Sequence, residues 1–315
     1  MHDAWQTAMI TIARSAKAKR LLHRPIGRSL LAQRFVGRAT AEEAVVAAAD
    51  LKAEQGITST LFYLGEYVDD VGRTAETVRQ SCRAARLLAD AGLDVHISID
   101  PTAVGYLTSD ALAKKNAEEV GRAIPAQPTT SRNCLMLDME DLTLLEPTLE
   151  IHRHLMSTGI PSGVTLQARL RRTPTDLEPL LQTSTHVRLV KGAFPLGSQF
   201  DHQGRSAINE AFVALAGRML SPEARAARMY PSFATHDEEL VDRVIKMATE
   251  HGWAPHEYEI ECLYGVRPQW QRELRRRGVQ VRVYLPFGDD WWAYVLRRVG
   301  ERPRNLLQVA RRGRS

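Results

Sequence analysis

The chain has 315 residues and a formal net charge of +5, with 44% hydrophobic, 25% charged and 6% aromatic residues. This composition is typical of a globular protein and excludes a disordered, collagen-like or disulfide-stapled chain. No apolar run approaches the roughly 20 residues that a membrane-spanning helix needs. The three cysteines, Cys82, Cys134 and Cys262, are far apart in the sequence. Their spacing favours reduced thiols in a cytoplasm over disulfides or a zinc site.

The positive charge lies at the two ends of the chain. Residues 1–41 contain eight basic side chains and one acid, and residues 311–315 contain three arginines. Residues 42–310 carry 31 basic and 36 acidic side chains. Basic ends suit an anionic membrane surface, although a solvated helix face explains them as well. The acidic body argues against a nucleic-acid partner, which needs interleaved basic and aromatic residues. We interpret residues 1–40 as a basic helical lead-in and residues 41–315 as the catalytic domain.

Short apolar runs alternate with helical patterns from residue 41 onward. The predicted strands are 58–64, 94–99, 133–138, 161–167, 187–190, 230–234, 257–262 and 281–285. The predicted helices between them are 41–54, 74–91, 109–123, 147–157, 206–220, 238–251 and 268–277. Strand and helix repeated about eight times over roughly 250 residues are typical of an α/β fold, the (βα)8 TIM-like barrel. A doubly wound sheet usually opens with a glycine-rich phosphate-binding turn, and no GxGxxG motif occurs here.

Polar residues end or follow most of the later strands, and in such a barrel the chemistry lies at the carboxyl ends of the strands. These residues are Asp138, Glu140, Gln167, Arg188, Lys191, Thr235, His236, Asp237, Glu261 and Tyr284. Each has a simple structural explanation when it is taken alone: Asp138 can cap a helix, Arg188 can form an ion pair, and His236 can be a satisfied histidine. We expect them to converge on one rim of the barrel. So many polar groups at one rim are more than a structural scaffold needs.

The segment after the eighth strand predicts a helix with a polar stripe. Tyr294, Arg297, Arg298 and Glu301 are three or four residues apart and therefore share one helix face. Two guanidiniums can clamp a carboxylate ligand with paired hydrogen bonds, and Glu301 would hold one of them in place. A surface ladder of salt bridges fits the same spacing equally well, so both interpretations stay open.

Taken together, eight strings resemble the proline dehydrogenase family, which includes monofunctional bacterial enzymes and the corresponding domain of proline utilization A. The strings are LAQRFVGRAT, LGE, LDME, LQARLRR, VRLVKGAF, FATHDEELV, YEIECLYGVRP and VRVYLPFGDDWWAYVLRRVGERPRN. They match in order from about residue 30 to residue 306. The resemblance implies a (βα)8 barrel that binds FAD non-covalently and whose last helix lies over the barrel mouth.

The resemblance also implies roles for individual residues. Asp138 and Arg188 match catalytic positions. The flavin-contacting positions so implied are Met139, Gln167, Arg188, Lys191, Gly192, Ala193, Thr235 and His236. The substrate-binding positions, including the carboxylate clamp and the side chains that shape the pocket, are Asp100, Glu261, Leu263, Tyr284, Tyr294, Arg297 and Arg298. Glu66 matches an acid that pairs with the clamp in relatives.

The reaction so implied is oxidation of a cyclic amino acid. A hydride passes from the ring carbon next to the secondary amine of proline, or of a proline-like amino acid, to flavin N5 and leaves a cyclic imine. Relatives are reoxidised by a membrane quinone. We therefore expect a cytoplasmic protein whose basic ends contact the inner face of the membrane.

Three positions depart from the family pattern. Asp100 stands where the family has a lysine, Phe194 where it has a tyrosine, and Glu261 where it has a glutamine. One hypothesis is that the pocket takes a more basic or nitrogen-containing amino acid whose cation pairs with Asp100 or Glu261. The other is that Asp100 forms a local ion pair with Lys191 or an arginine, which leaves proline as the substrate.

Two other classes of protein remain open from the residues alone. A barrel hydrolase could use Asp138 and Glu140 as acid and base, and an aldolase could use Lys191 as a Schiff-base amine. A flavin binder without catalytic activity is a further alternative. We expect no metal site, because His152 and His154 diverge on a helix and no HExxH motif occurs.

Overall fold

The computed structural model describes residues 35–36, 38–65, 70–126, 132–192 and 197–301, leaving aside the side chains of residues 297 and 299–301. Within these ranges eight strands form a closed parallel barrel, in which each strand pairs with the next and the eighth pairs with the first. The strands are β1 (Thr58–Tyr63), β2 (His96–Ile99), β3 (Cys134–Leu137), β4 (Ser162–Gln167), β5 (His186–Val190), β6 (Tyr230–Ala234), β7 (Glu259–Leu263) and β8 (Val281–Phe287). The predicted barrel is confirmed, with every strand end within two residues of its predicted position.

Helices connect the strands on the outside of the barrel. They are α1 (Ala41–Gln55), α2 (Val71–Asp90), α3 (Asp110–Arg122), α4 (Leu145–Ser157), α5 (Thr173–Leu177), α6 (Gly204–Met219), α7 (Pro222–Ala226), α8 (Glu238–Glu250), α9 (Pro268–Arg276) and α10 (Trp292–Glu301). Two short 3-10 helices lie at Leu142–Leu144 and Glu178–Gln182. The sequence did not predict these or the five-residue helices α5 and α7, because so few residues show no helical periodicity. No helix in the described ranges has the length and apolarity needed to cross a membrane.

Local signals in the sequence set the helix ends. At the start of α1, Oγ1 of Thr40 accepts a hydrogen bond from the backbone N–H of Glu43, which satisfies one of the free donors of the first turn. At its end, Gly56 has a φ of 65° and its N–H donates to the carbonyl of Lys52. Such a left-handed residue ends a helix at little cost only when it is glycine.

The barrel interior is polar. Side chains alternate across each strand, and the inward positions of β2, β5 and β7 carry histidine, serine, arginine and glutamate. Nε2 of His96 lies 3.4 Å from Nδ1 of His186 across the barrel. Below them, Arg282 donates to Glu259 at 2.8 Å and is 1% exposed. Barrels of this class are more often filled by branched apolar side chains. The outward positions are apolar and pack against the helices.

Helix α10 covers the end of the barrel where the strands finish, which we call the mouth. Trp292, Tyr294 and Val295 of this helix belong to one buried cluster with Phe62 of β1 and with Leu64 just after β1. This packing confirms that the last helix lies over the mouth. The lead-in domain stays a prediction, because most of residues 1–40 lie outside the described ranges.

The surroundings of Gly163 show how tightly the barrel is packed. A Cβ on Gly163 in β4 would lie 2.7 Å from the carbonyl oxygen of His186 and 2.7 Å from Cε of Met136. We therefore expect Gly163→Ala to lower the free energy of unfolding by about 1–3 kcal/mol, measured by urea titration. The matched control is Gly217→Ala in α6, where the nearest atom lies at 3.7 Å. The control should be neutral or stabilising by up to about 1 kcal/mol. Equal effects of the two changes would contradict the packing described here.

Candidate active site

The centre of the site is the buried guanidinium of Arg188 on β5. Its Nε donates to Oε2 of Glu261 at 2.8 Å, and its Nη1 donates to Oδ1 of Asp138 at 2.6 Å and to Oγ of Ser98 at 3.2 Å. Burial lowers the pKa of Arg188, but the charges of Glu261 and Asp138 outweigh burial and raise it above its ordinary value. The guanidinium is therefore a fixed positive charge at the end of the barrel interior.

Tyr284 on β8 holds the other oxygen of Asp138. The phenol donates to Oδ2 of Asp138 at 2.7 Å, and Oγ1 of Thr165 donates to Oδ1 at 3.3 Å. Burial, followed by the charge of Asp138, raises the pKa of Tyr284 well above its ordinary value. The phenol therefore keeps its proton. The guanidinium of Arg188 also lies 5.5 Å from the centre of the Tyr284 ring, so three of the predicted site residues form one unit.

A second group of predicted residues lies where β4 and β5 end. Nε2 of Gln167 donates to the carbonyl of Glu140 at 2.9 Å. Gly192 has a φ of 100°, and a Cβ there would lie 2.7 Å from Oε1 of Gln167. Nζ of Lys191 donates to Oδ2 of Asp237 at 2.8 Å. Arg205 donates to the same oxygen at 2.9 Å, so two cations on this side of the mouth pair with the carboxylate of Asp237.

Several buried polar atoms near these strand ends have no hydrogen-bond partner in the described part of the chain. They include Nη2 of Arg188, Oε1 of Gln167 and Oε1 of Glu261. A buried polar group that lacks a partner is costly. Unsatisfied donors and acceptors gathered at one barrel end are therefore suited to a polar ligand.

The loops after β6 and β7 are tied together through His236. The backbone N–H of Leu263 donates to Nε2 of His236 at 3.1 Å, so this nitrogen is the acceptor of the ring. Arg267 donates to the carbonyl of His236 at 2.9 Å. Oγ1 of Thr235 accepts from the N–H of Asp237 at 3.2 Å. Met139 packs at the edge of the larger apolar cluster.

Acidic side chains occupy the β2–β3 side of the mouth. Glu140 accepts hydrogen bonds from the N–H of Thr102 at 3.0 Å and from its hydroxyl at 2.7 Å, and burial raises the pKa of Glu140 to about 7. Asp100 is 6% exposed. Burial, followed by the charges of Glu140 and Asp138, raises the pKa of Asp100 well above its ordinary value.

The local ion pair suggested for Asp100 is not present among the residues that the structure describes. Lys191 pairs with Asp237, and Arg188 pairs with Asp138 and Glu261. No hydrogen bond or ion pair to the Asp100 carboxyl comes from any residue of the described ranges. Glu261 pairs with Arg188, which also pairs with Asp138. Of the two acidic substitutions, Asp100 is therefore the one without an ion-pair partner in the described ranges.

The predicted clamp is described only in part. Arg298 is half-buried and its guanidinium lies 5.3 Å from the ring centre of Tyr294. Tyr294 is 3% exposed and belongs to the cluster that packs α10 on the mouth. Arg298 is therefore at the barrel mouth and not in bulk water. The side chain of Arg297 lies outside the described residues, as do Glu66, Ala193 and Phe194, and their roles stay predictions.

The sequence did not reveal the side chains that form hydrogen bonds to the predicted site residues. Ser98 and Thr165 contact Arg188 and Asp138, and Thr102 holds Glu140. A signal was present for two of them, because Ser98 and Thr165 occupy inward positions of strands with period-two alternation. Thr102 lies in the loop after β2, where no periodicity marks it.

The structure also brings potential metal ligands together inside the barrel, where none was expected. The ligand atoms of His96, Cys134 and His186 all lie within 4.8 Å of one another. The other ring nitrogen of each histidine lies at hydrogen-bonding distance from a hydroxyl. The Thr60 hydroxyl is 3.0 Å from His96, and the Ser232 hydroxyl is 3.0 Å from His186. Burial and then Arg282 lower the pKa of both histidines. We interpret the group as a neutral hydrogen-bonded chain, because nearby guanidiniums would repel a cation.

A closed parallel barrel with ionised side chains at the carboxyl ends of its strands has the architecture of a barrel enzyme. The chain matches a family model described as proline dehydrogenase over residues 45–311. Proline dehydrogenase 1 of Bacillus subtilis is 31% identical over 286 residues, which cover 90% of this chain and 90% of that protein. Proline dehydrogenase of Deinococcus radiodurans is 31% identical over 311 residues, covering 97% and 96%. The chain belongs to the proline dehydrogenase family.

Solved structures share the fold. Proline utilization A from Corynebacterium freiburgense has a TM-score of 0.74 and 21% identity and covers 98% of this chain. Proline utilization A from Bdellovibrio bacteriovorus has a TM-score of 0.74 and 19% identity and covers 85% of this chain. The matched parts are 34% and 32% of those proteins, so this chain spans about a third of their length. The likeness supports the barrel fold.

The environment of Asp100 gives a prediction on stability. An unfolded aspartate has a pKa of about 3.9, and the folded value is higher. The unfolded state therefore loses this proton first, and the carboxyl destabilises the fold increasingly as pH rises from about 4 toward the folded value. Asp100→Asn should raise the free energy of unfolding relative to wild type, with a gain that grows between pH 4.5 and pH 7.5 in urea titrations.

The control for this measurement is Asp90→Asn, which changes an exposed aspartate at the end of α2 and should show no such trend. If Asp100→Asn were less stable than wild type at pH 7.5, the carboxylate would have a stabilising partner and its described environment would be wrong.

Proposed function

We propose that this protein is an FAD-dependent dehydrogenase of the proline type. It would oxidise the bond between the ring carbon and the secondary amine of proline, or of a proline-like amino acid, and release a cyclic imine. The observation that carries this proposal is the buried unit of Arg188, Asp138 and Tyr284 beneath α10, in a chain of the proline dehydrogenase family.

The residues at the mouth fit a flavin. Oε1 of Gln167 is buried without a partner in the described part of the chain, and Gly192 approaches it so closely that a Cβ there would lie 2.7 Å away. Lys191 and Arg188 supply positive charge, which stabilises a reduced, anionic ring. When bound, FAD supplies the acceptor for the hydride. Gln167, Gly192 and Lys191 would hold it from β4 and β5, and Thr235 and His236 would hold it from the loop after β6.

The chain's own residues would bind and orient the amino acid. Arg298, with Arg297, would bind the substrate carboxylate, because a guanidinium donates two parallel hydrogen bonds to it. Tyr284 and Asp138 would form the wall opposite the clamp, in fixed positions because Arg188 and Thr165 hold the carboxylate. Trp292 and Tyr294 would exclude water from the mouth. Holding the reacting carbon in one position contributes much of the rate.

The alternative chemistries fit the structure less well. An aldolase needs a lysine amine that is free to attack a carbonyl, whereas Nζ of Lys191 lies in an ion pair with Asp237. A carboxylate pair for hydrolysis would need two free acids, whereas Asp138 is held by Arg188 and Tyr284 and Glu140 by Thr102.

The electron acceptor and the location belong to the same proposal. A quinone would reoxidise the flavin, and the basic ends of a cytoplasmic protein would contact the anionic inner face of the membrane. Residues 1–34 and 302–315 lie outside the described ranges, so this part is supported by their charge alone.

The proposed activity is tested with the purified, FAD-loaded protein. Anaerobic addition of proline or a proline-like amino acid should bleach the visible flavin band. Asp138→Asn should lower kcat/KM on the order of 10²-fold, because the carboxylate that Arg188 and Tyr284 fix would lose its charge. Asp90→Asn should leave it unchanged. A loaded protein that no cyclic secondary amino acid bleaches would contradict the proposal.

The clamp has its own prediction. Arg298→Ala should raise KM for the amino acid by about 10- to 100-fold, since a hydrogen bond between charged groups contributes about 1.5–3 kcal/mol. The matched control is Arg276→Ala on the exposed face of α9, which should leave KM unchanged. The same KM in both variants would show that Arg298 does not bind the substrate.

A further inference from the structure

Asp100 continues an inward-facing series on β2. His96 contacts His186 across the barrel and Ser98 contacts Arg188, so both side chains point inward. Since side chains on a strand alternate, the next inward position is Asp100, just above the end of β2. It lies close enough to Asp138 and Glu140 for their charges to act on it. Asp100 therefore faces the same space as the Arg188 unit.

The charges around this space do not balance. Asp138 and Glu261 share the single charge of Arg188, while Glu140 is held only by the neutral donors of Thr102. Asp100, 94% of whose surface is buried, has neither a cation nor a hydrogen-bond donor in the described part of the chain. An isolated buried carboxylate is costly unless a positive group joins it.

We propose that Asp100 binds a cationic nitrogen on the substrate, so that the preferred substrate is a proline-like amino acid with a second, positively charged nitrogen. This inference rests on the proposed function and names its substrate class. The substrate carboxylate would lie at the clamp on α10, and the second nitrogen at the acidic side formed by Asp100 and Glu140. Entry of the cation would place a positive charge beside Asp100 and Glu140, whose carboxyls have no cation partner among the described residues.

The ring amine itself is a poorer partner for Asp100. The amine must lose its proton before the neighbouring carbon gives up a hydride, and a buried ion pair would hold the protonated, unreactive form. In the competing role, Asp100 accepts the amine proton from proline, and wild type would then show no preference for a second cationic nitrogen. That result is therefore an outcome of the test.

The test compares ligands of similar size that differ in charge. The probes are cis- and trans-4-aminoproline, cis- and trans-4-hydroxyproline, and proline. Each probe is tested with three FAD-loaded proteins: wild type, Asp100→Asn and the control Asp90→Asn. Dissociation constants come from calorimetry, and rates come from anaerobic bleaching of the flavin. Wild type and control should bind one aminoproline isomer at least about 10-fold tighter than the matching hydroxyproline, as expected for a hydrogen bond between charged groups. Asp100→Asn should lose this preference, both in the dissociation constants and in the ratio of the oxidation rates of the two compounds.

Two results would overturn the inference. Wild type would bind aminoproline no tighter than hydroxyproline, or Asp100→Asn would keep the preference. If the variant did not fold, the wild-type comparison would still decide. Failure of the proposed function looks different: no compound would bleach the flavin, while the calorimetric preference for a cation could still be present.

Discussion

The structure depends on how one buried positive charge is held. Arg188 lies inside the barrel, where an unpaired guanidinium would be prohibitively costly. It pairs with two carboxylates, Asp138 just after β3 and Glu261 on β7. These bonds also fix the carboxylates. Asp138, held by Arg188 on one oxygen and by Tyr284 on the other, has little freedom to turn. A rigid acid, phenol and guanidinium at the end of three strands give the mouth a defined shape before any ligand enters.

The sequence predicted the barrel well because its signals are local. Apolar runs, helical periodicity and glycines at helix ends located every strand to within two residues. The ion network was harder to predict, since it joins residues far apart in the chain: Arg188 and Glu261 are 73 positions apart. Alternation within β2, β5, β7 and β8 marks one polar face in each strand, yet it does not tell which polar groups meet across the barrel. The substitution at Asp100 was visible, whereas its lack of a partner required the structure.

The two sides of the mouth differ in charge, and this difference connects the fold to substrate choice. On the β5–β6 side, Lys191 and Arg205 surround Asp237. On the β2–β3 side, Asp100 and Glu140 face inward without a described cation. Helix α10 covers the mouth through aromatic contacts and brings Arg298 with it. An amino acid held between these surfaces would have its acid group toward α10 and any extra positive group toward β2.

The most direct test of the central claim is a double-mutant cycle for Arg188→Met and Glu261→Gln, with the free energy of unfolding as the measured quantity. Arg188→Met leaves Glu261 without its cation, and Glu261→Gln removes one of the two carboxylates that hold the guanidinium. If this buried ion pair holds the guanidinium, the coupling energy should reach about 2 kcal/mol or more. A coupling energy within about 0.5 kcal/mol of zero would contradict the account, because it would mean that the two side chains do not hold each other in the folded protein.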